Sequence, residues 1–197
     1  GMIKDAGFGW VKQNIGWRDV EGAGKGQYYW RRVDGIVYEC NKLGLDLLVR
    51  IDHQPKWAGG NYPTNGPPDN YADLGDFLYA MASRYKGRSR AYEIWNEPNI
   101  HFWKPQPNVD DYAKLAVETA ESIRQADPDA IVVAPATSGI DLVFVEECFQ
   151  RGLLEHIDVV SVHPYREAPP ETVCSDYSTL RELVDTYAPP GRTVPLI

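Results

Sequence analysis

Cysteine is scarce: Cys40, Cys148 and Cys174 are an odd set in 197 residues and lack metal-ligand spacing, which argues against a disulfide framework. Cys40 and Cys148 fall on apolar helical faces and read as buried thiols. Histidine is nearly as rare. His53, His101, His156 and His163 make no H-x-x-x-H pair or cluster, so no metal and no other cofactor is called for. Positive charge is also in deficit, with 20 Lys and Arg against 28 Asp and Glu. A net charge of -8 argues against nucleic acid, whose phosphates are bound by clustered cations. No apolar run approaches the roughly 20 residues that span a bilayer, so no membrane segment is expected. No charged leader is visible, and the opening residues read as mid-domain sequence, which leaves the compartment open. In surplus are the large rings, six Trp and twelve Tyr. Flat rings cover sugar faces, although most such residues serve packing.

The apolar pattern alternates between two periods. Residues 2–7 read as a helix end stopped by Gly7, and residues 9–17 as a strand with its exit loop. Val33, Ile36, Val37, Cys40 and Leu43 follow helical spacing up to Gly44, and residues 45–52 form the next strand. Leu74, Phe77, Leu78, Met81, Ala82 and Tyr85 make a helical stripe that must pack on a sheet. A strand starts at Ala91. Residues 110–126 are helical until Asp127-Pro128, and residues 130–135 are β-branched and apolar. Asp141 caps a helix carrying Val145, Cys148 and Phe149, residues 158–163 form a strand, Leu180, Leu183, Val184 and Tyr187 a helical face, and residues 193–197 a last strand. Six strands separated by helices imply one parallel α/β sheet in a single domain, 1–197. The turn-rich segment 59–68 reads as a rim loop. A doubly wound nucleotide-binding sheet is the competing fold, but Gly22-Ala23-Gly24-Lys25-Gly26 lacks both phosphate-binding spacings and lies too far from its strand.

Residues 93–99, Glu-Ile-Trp-Asn-Glu-Pro-Asn, carry the chemistry. Pro98 disfavours helical geometry at Glu97, so an extended segment should stop there with Glu93, Trp95 and Glu97 on one face. The string Trp95-Asn96-Glu97-Pro98-Asn99 resembles the acid/base motif that closes the fourth strand of clan A glycoside hydrolase barrels. Phe102-Trp103-Lys104-Pro105-Gln106-Pro107, with Asp111-Tyr112 opening a helix, is most similar to glycoside hydrolase family 39. His163-Pro164-Tyr165 resembles the sixth-strand end of that clan. The resemblance implies an incomplete TIM (β/α)8 barrel, its second to seventh strands present, since a full barrel needs about 250 residues. It also implies a retaining hydrolase of β-linked oligo- or polysaccharide, with Glu97 as proton donor and Asn96 bonding the sugar hydroxyl beside the reacting carbon.

Retention needs a second carboxylate roughly 5 to 5.5 Å from the donor. In the resembling families it is a Glu closing the seventh strand, and residues 194–197 are where that strand would still be approaching its catalytic end. The chain alone is therefore expected to be inactive, with a non-catalytic carbohydrate-binding or scaffolding fragment as the alternative. Asp52, Glu93 and Glu167 are poor substitutes: Glu93 should lie roughly 13 Å deeper than Glu97. A donor holding its proton near neutral pH wants apolar walls, which Trp95 or Trp103 would supply.

The strand faces nominate the sugar side. Lys12 and Asn14 share one face of their strand. His53, Gln54 and Trp57 follow the next, and Trp103 joins them from the extension. Ser161, His163 and Tyr165 share a face opposite Val160 and Val162, where His163 reads equally as a structural hydrogen bonder or a sugar or nucleophile contact. Val49 and Ile51 should face helices, with Arg50 pointing inward to pair Glu93. An unclosed sheet leaves two edges, so the fragment is expected to self-associate.

Overall fold

The computed structural model describes residues 1–59, 62 and 66–197; half of the expected rim loop 59–68 thus lies outside the described residues. In chain order the elements are α1 (Met2–Asp5), β1 (Trp10–Gly16), α2 (Trp17–Glu21), α3 (Arg31–Lys42), β2 (Asp46–Asp52), α4 (Tyr71–Tyr85), β3 (Ala91–Ile94), α5 (Val109–Ala126), β4 (Ile131–Ser138), α6 (Leu142–Gln150), α7 (Leu153–His156), β5 (Val159–His163) and α8 (Val173–Tyr187), with a 3-10 turn at Pro170–Thr172 before α8. All strand pairings are parallel, in the order β1-β2-β3-β4-β5. Consecutive order without a reversal excludes the doubly wound alternative, whose ligand crevice needs a switch point. The arrangement is a partial (β/α)8 barrel.

One expectation is corrected. Five strands, not six, form the sheet; the segment expected as the sixth contributes one parallel bridge, Leu196 to Val160. Its backbone nevertheless follows β5, since Val160 and Val162 donate to Pro195 and Ile197, and Ile197 donates back to Val160. The short helices α2 and α7 were not legible, because four or five residues are too few for a periodic stripe.

Strand alternation sorts the sheet into two faces. Leu47, Val49, Ile51, Tyr92, Ile94, Val132, Ala134, Val160 and Val162 join the large core shared with the helices. The opposite parity gives a small apolar plug inside the barrel, Leu48, Ala91 and Val133, backed by Ile131 and Val159. Two residues farther along their strands than Leu48, Ala91 and Val159, the same parity carries Arg50, Glu93 and Ser161, while Lys12 of β1 stands in register with Leu48. The inner face is therefore apolar at the bottom and charged toward the strand C-termini.

Side-chain caps and close helix packing hold this geometry. Asn70, Asn108 and Asp141 accept hydrogen bonds from first-turn backbone amides of α4, α5 and α6. A Cβ at Gly75 of α4 would sit 2.7 Å from Ser122 Oγ of α5, so a larger residue there requires that hydroxyl to turn away. Cys40 and Cys148 are buried free thiols, Cys174 an exposed one, and burial pushes the first two up from the usual thiol range. No helix among the described residues is long and apolar enough to cross a membrane.

Candidate active site

The site forms where the strands end, the face on which (β/α)8 barrels collect their chemistry. β3 stops at Ile94, three residues before Glu97. Trp95 and Glu97 then adopt φ of 69° and 47°, left-handed values that non-glycine residues seldom hold. His53 (56°), just past β2, and Ala136 (56°), in β4, complete the described non-glycine residues with positive φ, and all four lie at the strand C-terminal side. Such residues cost of order 1–3 kcal/mol each, so surrounding contacts must impose them.

Those contacts are visible. Glu97 N–H donates to Ala136 C=O at 2.9 Å, at the point where β4 shifts register between Pro135 and Thr137. Tyr112 of α5 donates its hydroxyl to Ile94 C=O (3.1 Å) and Pro135 C=O (3.3 Å), tying the ends of β3 and β4 together. Full burial pushes that phenol well above its usual range, which keeps it a donor. Asn99 bonds Ser138 C=O and the Asp141 carboxylate through its NH2, and accepts from Ser138 N–H.

The left-handed turn overturns the expectation that Trp95 shares a face with Glu93 and Glu97. Its indole instead joins the helix-side core, edge-on to Trp103 at 5.6 Å, with Nε1 donating to Phe102 C=O. Trp103 stacks edge-on with Tyr112 and is 1% exposed. At that exposure Trp103 offers no ring face to a ligand and serves as backing for the motif loop.

Glu97 is 7% exposed, and its Oε1 lies 2.7 Å from His163 Nδ1 at the end of β5. Asn96, 8% exposed, accepts from Arg50 Nη1 at 2.7 Å, so its carbonyl is fixed toward β2 and its NH2 is turned away from it. Arg50 is thus part of the site, a role the sequence reading missed. The expected Arg50–Glu93 pair does not form, although the two are register partners on adjacent strands. Lys12, from β1, takes Glu93 instead, with Nζ 2.6 and 2.9 Å from its two oxygens, and Ser161 donates to the same carboxylate at 2.8 Å. The guanidinium is long enough to bypass Glu93 and reach the motif loop, and the ammonium occupies the interior position in its place.

The remaining nominated residues divide. His53 lies against the buried Asp52 carboxylate, Nδ1 to Oδ1 at 2.5 Å, close beside Gly16. Lys12 and Asn14 both stand exposed on the inner parity of β1. Tyr165 is exposed, with its ring 6.0 Å from that of His163. Trp57 is half-buried: its indole donates to Glu21 C=O and packs edge-on against Trp17, so its body underlies the β2 loop. Among the described residues no group of three His, Cys, Asp or Glu is placed to hold a metal ion.

Comparison with known proteins agrees with this fold. Residues 1–188 match the family model described as cellulase (glycosyl hydrolase family 5). A β-xylosidase of Geobacillus stearothermophilus is 27% identical over 90% of this chain, which spans 42% of that protein's length. A monomeric β-xylosidase from Caulobacter crescentus CB15 superposes with a TM-score of 0.79 over 99% of this chain and 46% of its own, at 21% identity. A family 39 glycoside hydrolase from Bacteroides cellulosilyticus WH2 gives 0.72 over 84% and 34%, at 23% identity. The chain belongs to the cellulase (glycosyl hydrolase family 5) family of clan A glycoside hydrolases.

Proposed function

We propose that this chain carries the acid/base half of a retaining glycosidase acting on β-linked oligo- or polysaccharide. The observation that carries the reading is the placement of Glu97: nearly buried at a strand C-terminus, bonded to His163, and next to an Asn96 amide whose orientation Arg50 sets. In the first half-reaction the glycosidic C–O bond breaks, its electron pair passes to the leaving oxygen, and that oxygen takes the proton from Glu97. The anomeric carbon bonds to the attacking carboxylate, a Glu expected just beyond Ile197. In the second half Glu97, now ionised, removes a proton from the incoming water as the water oxygen bonds to the anomeric carbon, and the bond to the attacking carboxylate breaks with its electron pair returning to that carboxylate. Asn96 NH2 is positioned to donate to a sugar hydroxyl, with Asn14, His53, His163 and Tyr165 as further sugar contacts.

The β-xylosidase names of relatives make an aryl β-xyloside the first substrate to try. With the barrel complete, Glu97→Ala should lose about 10²–10⁴-fold in kcat/KM on xylosides with poor leaving groups. The loss should be far smaller on a dinitrophenyl xyloside, whose leaving group needs no proton. Equal losses on both substrates would remove Glu97 from the acid role, and saccharide binding without turnover in a complete barrel would favour the carbohydrate-binding alternative. Self-association through the open sheet edges belongs to the same proposal; a monodisperse monomer of the isolated chain in sedimentation would count against it.

A further inference from the structure

His163 stands between two charged groups from different strands. Its Nδ1 is 2.7 Å from Glu97 Oε1, and its Nε2 is 3.5 Å from Lys12 Nζ. Lys12 is itself anchored on Glu93, which is fully buried and also held by Ser161. The groups facing the ring are therefore Lys12 from β1, Glu97 from the loop after β3, and Tyr165 edge-on from beyond β5.

An ammonium has donors only. The ring nitrogen facing it is compatible with that neighbour only as a lone pair, so the ring's single proton belongs on Nδ1 and is given to Glu97. The opposite tautomer sets N–H against N–H3⁺, and the imidazolium adds a like charge at close range. Glu97 Oε1 then always receives a hydrogen bond and never carries the acid's proton. We propose that Lys12 is a positioning residue which, by fixing the neutral Nδ1–H tautomer of His163, confines the transferable proton of Glu97 to Oε2. The inference rests on the glycosidase reading for its purpose, since the other tautomer would park that proton between Oε1 and the ring. Glu93, itself held by Ser161, keeps the ammonium in place, which gives a buried carboxylate at 0% exposure a use deeper than the reacting centre.

Long-range ¹H–¹⁵N correlation of the histidine rings reads the tautomer directly in the full chain at neutral pH without substrate, with His163→Gln assigning the signals. The wild type should show His163 Nδ1 as the protonated nitrogen and Nε2 as the unprotonated one. A protonated Nε2 in the wild type overturns the proposal, with no variant needed. Lys12→Met combined with Glu93→Gln removes the ammonium without stranding a buried charge, and the pattern should give way to the Nε2–H form, a mixture or the imidazolium. Lys12→Arg should restore Nδ1–H, which a merely structural role for Lys12 does not require. An unchanged tautomer in Lys12→Met/Glu93→Gln overturns the proposal as well. Because the readout needs no turnover, failure of the Glu97→Ala kinetic test sinks the enzymatic reading and leaves the tautomer result standing, and the converse holds equally.

Discussion

The two faces of this sheet solve opposite problems with the same strands. Toward the helices, residues such as Val49, Ile51, Tyr92 and Ile94 meet aliphatic and aromatic side chains, and the solution is close packing. Toward the barrel interior, residues one position along the same strands, Arg50 and Glu93, are ionised groups that need specific partners. The outer face tolerates any partner of the right volume; the inner face tolerates only the right hydrogen-bond inventory. Stability should therefore be concentrated outside and chemistry inside.

Phe77→Ala probes the outer face and should give the largest stability change. Phe77 is fully buried in α4, stacked on Trp17 and Trp30 at 5.7 and 6.0 Å. Removing the ring should cost about 3–5 kcal/mol, read as a fall in the urea midpoint. The hydrogen bonds of Glu97 and Asn96 lie elsewhere, so the histidine tautomer pattern should survive below the transition. A change in that pattern would mean that the two faces are coupled more tightly than the geometry implies.

The inner face should behave differently, through non-additivity. Lys12→Met leaves Glu93 a buried carboxylate whose remaining hydrogen bond among the described residues is from Ser161, and should cost up to about 3–5 kcal/mol, the range for breaking a buried pair. Water reaching the partly exposed Lys12 side chain, 38% accessible, draws the figure toward the lower end. Adding Glu93→Gln should recover part of the loss, because no uncompensated charge then remains. A double variant as unstable as the sum of the singles would show that the pair is not an interacting unit.

This contrast also explains what could be read in the chain before its fold was known. The stripes of α3 and α4 and the alternation in β2 were legible because the outer face obeys periodicity alone, and Glu97 was legible because its motif is dense. The partner of Glu93 was not. Sequence gives the direction of a side chain relative to its strand, whereas sheet curvature decides which interior groups converge. Lys12, two strands away, therefore displaced the register neighbour Arg50. The burial of Trp95 was hidden for a related reason: alternation presumes extended backbone, and the left-handed φ after Ile94 ends it.

The smallest expected effects come from two carboxylates of the helical layer, whose protons move in opposite senses. Glu21 is buried, accepting from Trp17 Nε1 and Gly26 N–H, yet desolvation outweighs both bonds and raises it above the usual carboxylate range. Its folded form holds a proton more tightly than its unfolded form, so its contribution is full at low pH and is lost as pH rises through the raised value. Asp34 lies at the surface, where the Arg84 guanidinium and then the Tyr85 hydroxyl hold it below the usual range. Its contribution is present at neutral pH and is lost as pH falls through the lowered value. Urea midpoints from pH 3 to 7 should accordingly show Glu21→Gln gaining on the wild type toward neutral pH. Asp34→Asn should cost no more than about 1 kcal/mol at neutral pH, as for an exposed ion pair, and should converge with the wild type in acid. Parallel profiles for the two variants would mean that solvent, rather than the neighbours named here, sets both protons.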